Sequence, residues 1–359
     1  MVDTMALLPP FIRSSRMPRK PSRLAVGPPA DPAADEALLD APDDRLGPAL
    51  VAAAQGEYRP AADLLAATRT GADWEYRDRY ARRLAAFARS RDEWYEDWRK
   101  AAPHDPDALL VGAQLVLERS WQSPARAELL RQATPLITAA AHGDDRDPVP
   151  WRIALDHARG AQAGPRYVEE LWAAAVRRDP HHYGCHVAAL RYLAASWHGS
   201  HHACFDFAEP AAQDAPADSL VQALPARAAF SYLTDGCGPE VPGERLDAAA
   251  DRAIALSARF PAADPWPAQV RNKLMYVLVR LDRWTDAAEQ LRLIGPYATS
   301  FPWDRISDDP LGRFLEIRDE IREEIRDARR DAVRNEVGRN PVPRHPRSEH
   351  GGRAHSGDH

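Results

Sequence analysis

The chain has 359 residues, 45% of them hydrophobic, with a mean hydropathy of −0.51 and a formal net charge of −6 from 47 basic and 53 acidic side chains. That is long and apolar enough for one extended repeat array or two compact domains. The charge balance gives no electrostatic case for nucleic acid, which asks for a clustered basic face. No apolar run approaches the roughly 18–20 residues that a membrane span needs.

The positive charge is almost all arginine, the only lysines being Lys20, Lys100 and Lys273. With arginine used this generally, no single arginine is read as a phosphate ligand. Three cysteines, Cys185, Cys204 and Cys237, are too few and too odd in number for a disulfide framework and fit a reducing cytoplasm. The apolar stretch Ala6–Ile12 is broken by Pro9 and Pro10, too short for a secretory signal, and its basic residues follow it. The chain therefore reads as cytoplasmic.

Residues 1–43 are rich in proline and poor in apolar side chains, the composition of a disordered tail. Helical periodicity then runs almost without interruption. Tyr76, Tyr80, Leu84 and Phe87 share one helix face, as do Trp94 and Trp98 on the next segment. Leu171 with Ala175 and Val176, then Val187 with Leu190 and Ala194, then Val270, Leu274, Val277, Leu278 and Leu281, continue the pattern. The run Leu109–Leu117, interrupted by Gln114, reads as a core helix, and no alternating β-branched run predicts a sheet. Asp-Pro pairs at Asp105–Pro106, Asp147–Pro148, Asp179–Pro180, Asp264–Pro265 and Asp309–Pro310 each precede a new stripe. Aspartate is a good N-cap and proline suits the first helical turn. Asp214-Ala215-Pro216 is the expected place of a sixth such start.

Two segments show the hairpin grammar most clearly. In Ala49–Leu65 a helix ends near Gly56 and a second begins at Arg59, with Ala61 and Leu65 facing back. In Leu278–Leu291, Trp284, Ala287 and Leu291 stand where Tyr58, Ala61 and Leu65 stand in the first. An aromatic plugs the turn, a small alanine lets the helices approach, and a leucine locks them. This grammar resembles the tetratricopeptide repeat (TPR), without its first-helix tryptophan and leucine-glycine pair and with longer units. The segment from Asp179 to Ser200, with its Trp197-x-Gly199-Ser200 turn followed by Phe205 and Phe207, is similar to a bacterial, actinobacterial family of TPR-like proteins of unknown function. The resemblance spans about residues 75–325 and implies the fold, with no activity attached to it.

Candidate chemistry concentrates in one stretch. His181, His182, Cys185, His186, His198, His201, His202 and Cys204 fall close together, and the spacing of His182 to His186 and of His181 to Cys185 places each pair on one helix face, as a zinc site needs. The candidate metal ligands are His182, Cys185, His186, His198, His201 and His202. A turn with exposed histidines accounts for the same residues, since no Glu-x-x-His or Cys-x-x-Cys accompanies them. In the Trp197 turn, Gly199 is expected to end a helix in a left-handed conformation, Ser200 to cap the next, and Trp197 to pack the corner. Gly236–Pro239 reads as a plain loop around Cys237. The last helix carries a narrow stripe of Phe314, Ile317, Ile321, Ile325 and Ala328 among opposite charges three apart, a capping helix or a pairing surface.

The sequence thus predicts an all-α chain: an irregular TPR-like α-solenoid of antiparallel helical hairpins over residues 44–338, closed by a charged capping helix over 311–338, with a second disordered tail over 339–359. The expected function is a non-catalytic protein-interaction scaffold with an unknown protein partner, no nucleic acid, no membrane and no cofactor. The alternative is a metal-dependent enzyme or metal-binding protein centred on the histidine and cysteine cluster at 181–204.

Overall fold

The computed structural model describes residues 37–197, 199–235 and 238–339. These form sixteen α-helices and one pair of two-residue strands. The first eight helices are α1 (Leu46–Ala54), α2 (Arg59–Thr70), α3 (Trp74–Ser90), α4 (Glu93–Ala101), α5 (Pro106–Ser120), α6 (Arg126–Ala141), α7 (Val149–Gly160) and α8 (Pro165–Val176). The rest are α9 (Tyr183–Tyr192), α10 (His201–Asp214), α11 (Leu224–Asp235), α12 (Gly243–Ser257), α13 (Ala268–Arg280), α14 (Trp284–Ile294), the short α15 (Ser300–Trp303) and the long α16 (Pro310–Arg339). No helix among the described residues is long and apolar enough to cross a membrane.

The Asp-Pro aspartates each accept from a nearby amide, but not all of them cap a helix. The Asp105 carboxylate accepts from the Asp107 amide at 2.9 Å, Asp147 from Val149 at 2.8 Å and Asp309 from Gly312 at 2.9 Å, each an amide in the first turn of the helix that follows and worth about 1 kcal/mol. Asp179 accepts from His181 at 3.0 Å and Asp264 from Trp266 at 2.8 Å, but α9 begins only at Tyr183, with His182 as its N-cap, and α13 only at Ala268, so these two aspartates close the loop before the helix. Asp214-Ala215-Pro216 is not a sixth case: Asp214 ends α10, and the Ser219 hydroxyl instead caps a 3-10 turn over Leu220–Ala223 by accepting from Val221 at 3.2 Å.

Both hairpins form as expected. Between α1 and α2 the chain turns at Gly56, which takes a left-handed φ of 89°, and Ala61 and Leu65 are fully buried. Between α13 and α14 the left-handed residue is Asp282, and Ala287 is fully buried. Tyr58 stacks on Trp98 at 6.1 Å. Neighbouring helices pack in pairs, and α3, α5, α7, α9, α11 and α13 each touch the next of that series. Helix α3 also reaches past its neighbour to α7 and α9.

The two ends of the array meet. Strand β1 (Leu38–Leu39) lies parallel to β2 (Tyr297–Ala298), with the Leu38 amide 2.8 Å from the Pro296 carbonyl and the Asp40 amide 2.6 Å from that of Ala298. The Asp40 carboxylate accepts from the Ser300 hydroxyl at 2.8 Å and pairs with Arg83 at 3.0 Å. Tyr76 packs on Trp266 at 4.7 Å, and Arg79 donates to the Pro265 carbonyl at 3.2 Å. Residues 37–43 therefore belong to the folded unit, and the boundary expected at 43 moves toward the N-terminus. The strand's partner lies some 260 residues away, so local composition carries no trace of it. Residues 1–36 and 340–359, read as tails, lie outside the described residues.

Asp40 has a left-handed φ of 58°, which aspartate and asparagine tolerate. Asp40→Ala should lower the unfolding free energy by about 1–3 kcal/mol, measured by urea denaturation. Asp40→Asn keeps one acceptor for the Ser300 amide and a donor that the Ser300 hydroxyl can accept from, and loses the charge pair with Arg83, so it should cost less than Asp40→Ala.

Candidate functional site

The structure disperses the histidine and cysteine cluster. His182 is the N-cap of α9: its Nδ1 accepts from the Cys185 amide at 3.2 Å and lies 3.2 Å from the Cys185 thiol, while Nε2 faces the Trp74 carbonyl at 3.4 Å. Burial opposes a charge on His182, but Cys185, Glu75 and Asp78 outweigh it and hold the imidazole well above its ordinary value. Burial pushes the Cys185 thiol up. The pair is fully enclosed.

His186 donates from Nδ1 to the His182 carbonyl at 3.0 Å, and its ring stands edge-on to Trp172 at 4.9 Å. His201 packs on Tyr232 at 5.2 Å, and His202 lies 3.2 Å from the Glu240 carbonyl. The Cys204 thiol points at the Leu193 carbonyl, 3.3 Å away, and burial pushes it up to about 12. His198 and Cys237 lie outside the described residues. Among the described residues no group of three or more His, Cys, Asp or Glu side chains is placed to hold a metal ion. The turn with exposed histidines is also corrected: His182, His186 and His201 are buried, because each fills a helix start or an aromatic contact.

The Trp197 turn differs in one particular. Ser200 does cap α10, accepting from Ala203 at 3.1 Å. Gly199 does not take a left-handed φ, and α9 already ends at Tyr192. Glycine is needed there because an added Cβ would lie 2.2 Å from the Leu193 carbonyl oxygen. Trp197 reaches across to Trp121 at the end of α5, edge to face at 6.3 Å. Arg126 and Arg159 stack on this indole pair, their guanidinium carbons 4.8 and 4.1 Å from the Trp121 ring and 5.6 and 5.0 Å from that of Trp197.

The densest chemistry lies on α3, between the residues of its apolar stripe. Arg77 is 1% exposed and joins three segments: it pairs with Asp147 at 2.6 Å and Asp107 at 2.7 Å, and donates to the Leu65 carbonyl at 3.0 Å. Asp78 pairs with Arg152 at 2.7 Å and Arg82 at 3.1 Å. Burial works against the Asp78 charge, but the two guanidiniums outweigh it and hold its carboxyl well below the usual range. Arg152, fully buried, also donates to Gln114 at 2.6 Å, which explains the polar interruption of the α5 run. Asp156 is shared loosely by Arg152, Arg159 and Arg191 at 3.6, 3.5 and 3.6 Å. Glu75 accepts from the Tyr183 amide at 2.5 Å, and burial raises its carboxyl.

Beyond Tyr183 sits Lys273, fully buried, its ammonium 3.2 Å from the Tyr183 hydroxyl. Burial pulls it down to about 8. Tyr183 moves the same way: burial opposes its ionisation, but Lys273 and Arg227 overcome that and lower it. None of these groups was singled out in the sequence. The signal available for Lys273 was a lysine in an arginine-rich chain, directly before the apolar run Leu274–Val279. No family profile, curated protein or solved structure matches the chain.

Arg77→Met would strand two buried carboxylates and should cost about 3–5 kcal/mol in chemical denaturation. Arg77→Lys keeps the charge but cannot reach all three acceptors, and should fall between. A second expectation concerns pH. Burial lowers His186 to about 4 from an ordinary 6.5. The unfolded chain then binds the extra proton between those values, so the contribution of a neutral His186 is complete above pH 6.5 and is lost as the pH falls toward 4. The stability gap between the wild type and His186→Phe should shrink by up to about 3 kcal/mol over that window, followed by urea denaturation at each pH. A gap independent of pH would mean that the ring protonates freely in the folded state.

Proposed function

We propose that the protein is a non-catalytic protein-interaction module of the cytoplasm, a TPR-like solenoid of helical hairpins whose partner engages its C-terminal helix. The observation that carries the reading is the shape of α16. Its first half packs into the array through Phe314, Ile317 and Ile321, all buried. From Arg326 to Ala332 the helix is exposed on every side, well beyond its last buried residue. Arg330 pairs with Asp327 at 2.9 Å and Arg334 with Asp331 at 3.2 Å, which supports an exposed helix by tenths of a kcal/mol each. A helix stabilised by its own charge pairs, with the described side chains from Arg326 to Ala332 exposed, presents a ready surface to another. At its base, Ala288, Leu291, Ile321 and Ile325 floor a groove of about 290 Å³ rimmed by Arg326 and Arg329.

The test compares affinity capture from host lysate by the full chain and by a chain ending at residue 325. The shorter chain keeps every buried residue of α16 and should retain its circular dichroism spectrum. A reproducible protein partner that is lost with the arm supports the reading. A partner retained without the arm, or none at native expression, overturns it. Light scattering of the same two chains adds one case: a dimer that dissociates on truncation identifies the partner as a second copy.

A further inference from the structure

We propose that the paired guanidiniums of Arg126 and Arg159, framed by Trp121 and Trp197, form a binding site for a phosphate group. The inference stands apart from the interaction reading, since it uses neither α16 nor a protein partner. Its starting point is hydrogen-bond satisfaction. Arg271 shows a buried guanidinium fully supplied: it gives its donors to the Ser257 hydroxyl and to the carbonyls of Ser257, Phe260, Pro261 and Leu293, all within 3.1 Å. Arg152 and Arg178 also keep shielded nitrogens without an acceptor, but Arg152 is compensated by Asp78 at 2.7 Å and Arg178 donates to the Ala174 carbonyl at 2.7 Å. At Arg126 the Nε and one terminal nitrogen are shielded and meet no acceptor among the described residues, and the same holds for Nε of Arg159. Buried donors without acceptors are rare enough to call for an occupant.

The geometry suits an oxyanion. Both arginines lie on the same two indoles, at 4.1 to 5.6 Å from the ring centroids. Stacking holds a guanidinium flat and leaves its in-plane N–H edge free for the fork that oxyanions accept. Arg126 is also the first residue of α6, whose N-cap has no side-chain hydrogen bond. Arg305 adds further positive field at Arg159.

The local charge favours a dianion. Among the described residues no carboxylate pairs with Arg126, and the nearby Glu128 is taken by Arg131. Arg159 has only Asp156, at 3.5 Å, which it divides with Arg152 and Arg191. Two guanidiniums with a fraction of one carboxylate between them match a phosphate better than a singly charged group. The site also gives a use to the Trp197 turn: Gly199 lets that turn fold tightly against Leu193, and the indole it projects forms one wall.

The experiment is calorimetric titration of inorganic phosphate into the full chain at constant ionic strength, with a phosphoserine peptide as a second arm. Wild type should show saturable binding, and Arg126→Gln should weaken it about tenfold, the loss of one charge-assisted contact. Arg292→Gln, which removes an exposed arginine paired with Glu289, should leave it unchanged. Arg159→Lys keeps the countercharge to Asp156 and loses the fork, so it should also weaken binding, and it serves if Arg126→Gln does not fold. A tighter peptide assigns the phosphate to a phosphorylated partner, and equal affinity assigns it to a free anion; the same arginine dependence supports the site in both. No saturable binding in wild type, or equal binding in Arg126→Gln and Arg292→Gln, overturns the proposal.

Discussion

One guanidinium decides how the first half of the molecule is put together. Arg77 takes the carboxylates of Asp107 and Asp147 and the carbonyl of Leu65, so α3 is pinned at once to the end of α2 and to the starts of α5 and α7. Its two carboxylates belong to the Asp-Pro regions at the starts of α5 and α7, and Asp147 also accepts from the Val149 amide in the first turn of α7. Removing the arginine therefore would do more than break an ion pair. It would leave two buried charges without a partner and loosen two helix starts. Buried pairs of this kind add little net stability against an apolar alternative, but they tolerate few other arrangements. Here they fix which face of α3 turns inward.

The second half uses the same device with different acceptors. Arg271, fully buried on α13, collects the last carbonyls of α12 and the Leu293 carbonyl of α14. Between these two arginines runs a chain of polar contacts, from Glu75 through Tyr183 to Lys273, crossing from α3 to α9 to α13. A chain that places arginine almost everywhere it needs positive charge has a lysine at the end of that path. A compact ammonium, with its charge weakened by burial, suits a single phenol acceptor better than a five-donor fork would.

The helices were legible in the sequence because their signals are local: periodic apolar faces, Asp-Pro starts, a glycine at the first turn. Trp94 and Trp98 are buried on one face of α4, and Ala61 and Leu65 seal the first hairpin. The polar centre was not legible, because its partners are far apart in sequence. Arg77 meets Asp147 70 residues away, and Lys273 meets Tyr183 at a separation of 90. Sequence proximity misled at the histidines instead. They cluster in the chain, yet helix caps and aromatic contacts draw them to different neighbours. Gly199 shows the same limit: a glycine at a helix end is expected for its left-handed freedom, while here the reason is a carbonyl too close for any side chain.

The parallel pairing of Leu38–Leu39 with Tyr297–Ala298 bears on the order in which the molecule can assemble. During synthesis Leu38–Leu39 emerges long before its partner Tyr297–Ala298. The hairpins up to α14 can therefore form while Leu38 and Leu39, both exposed apolar residues, have nothing to pair with. Local hairpin contacts form fast and long-range closures slowly, since the loop entropy must be met before the contact repays it. Clasping the two ends is then expected to follow the local hairpins, not to precede them.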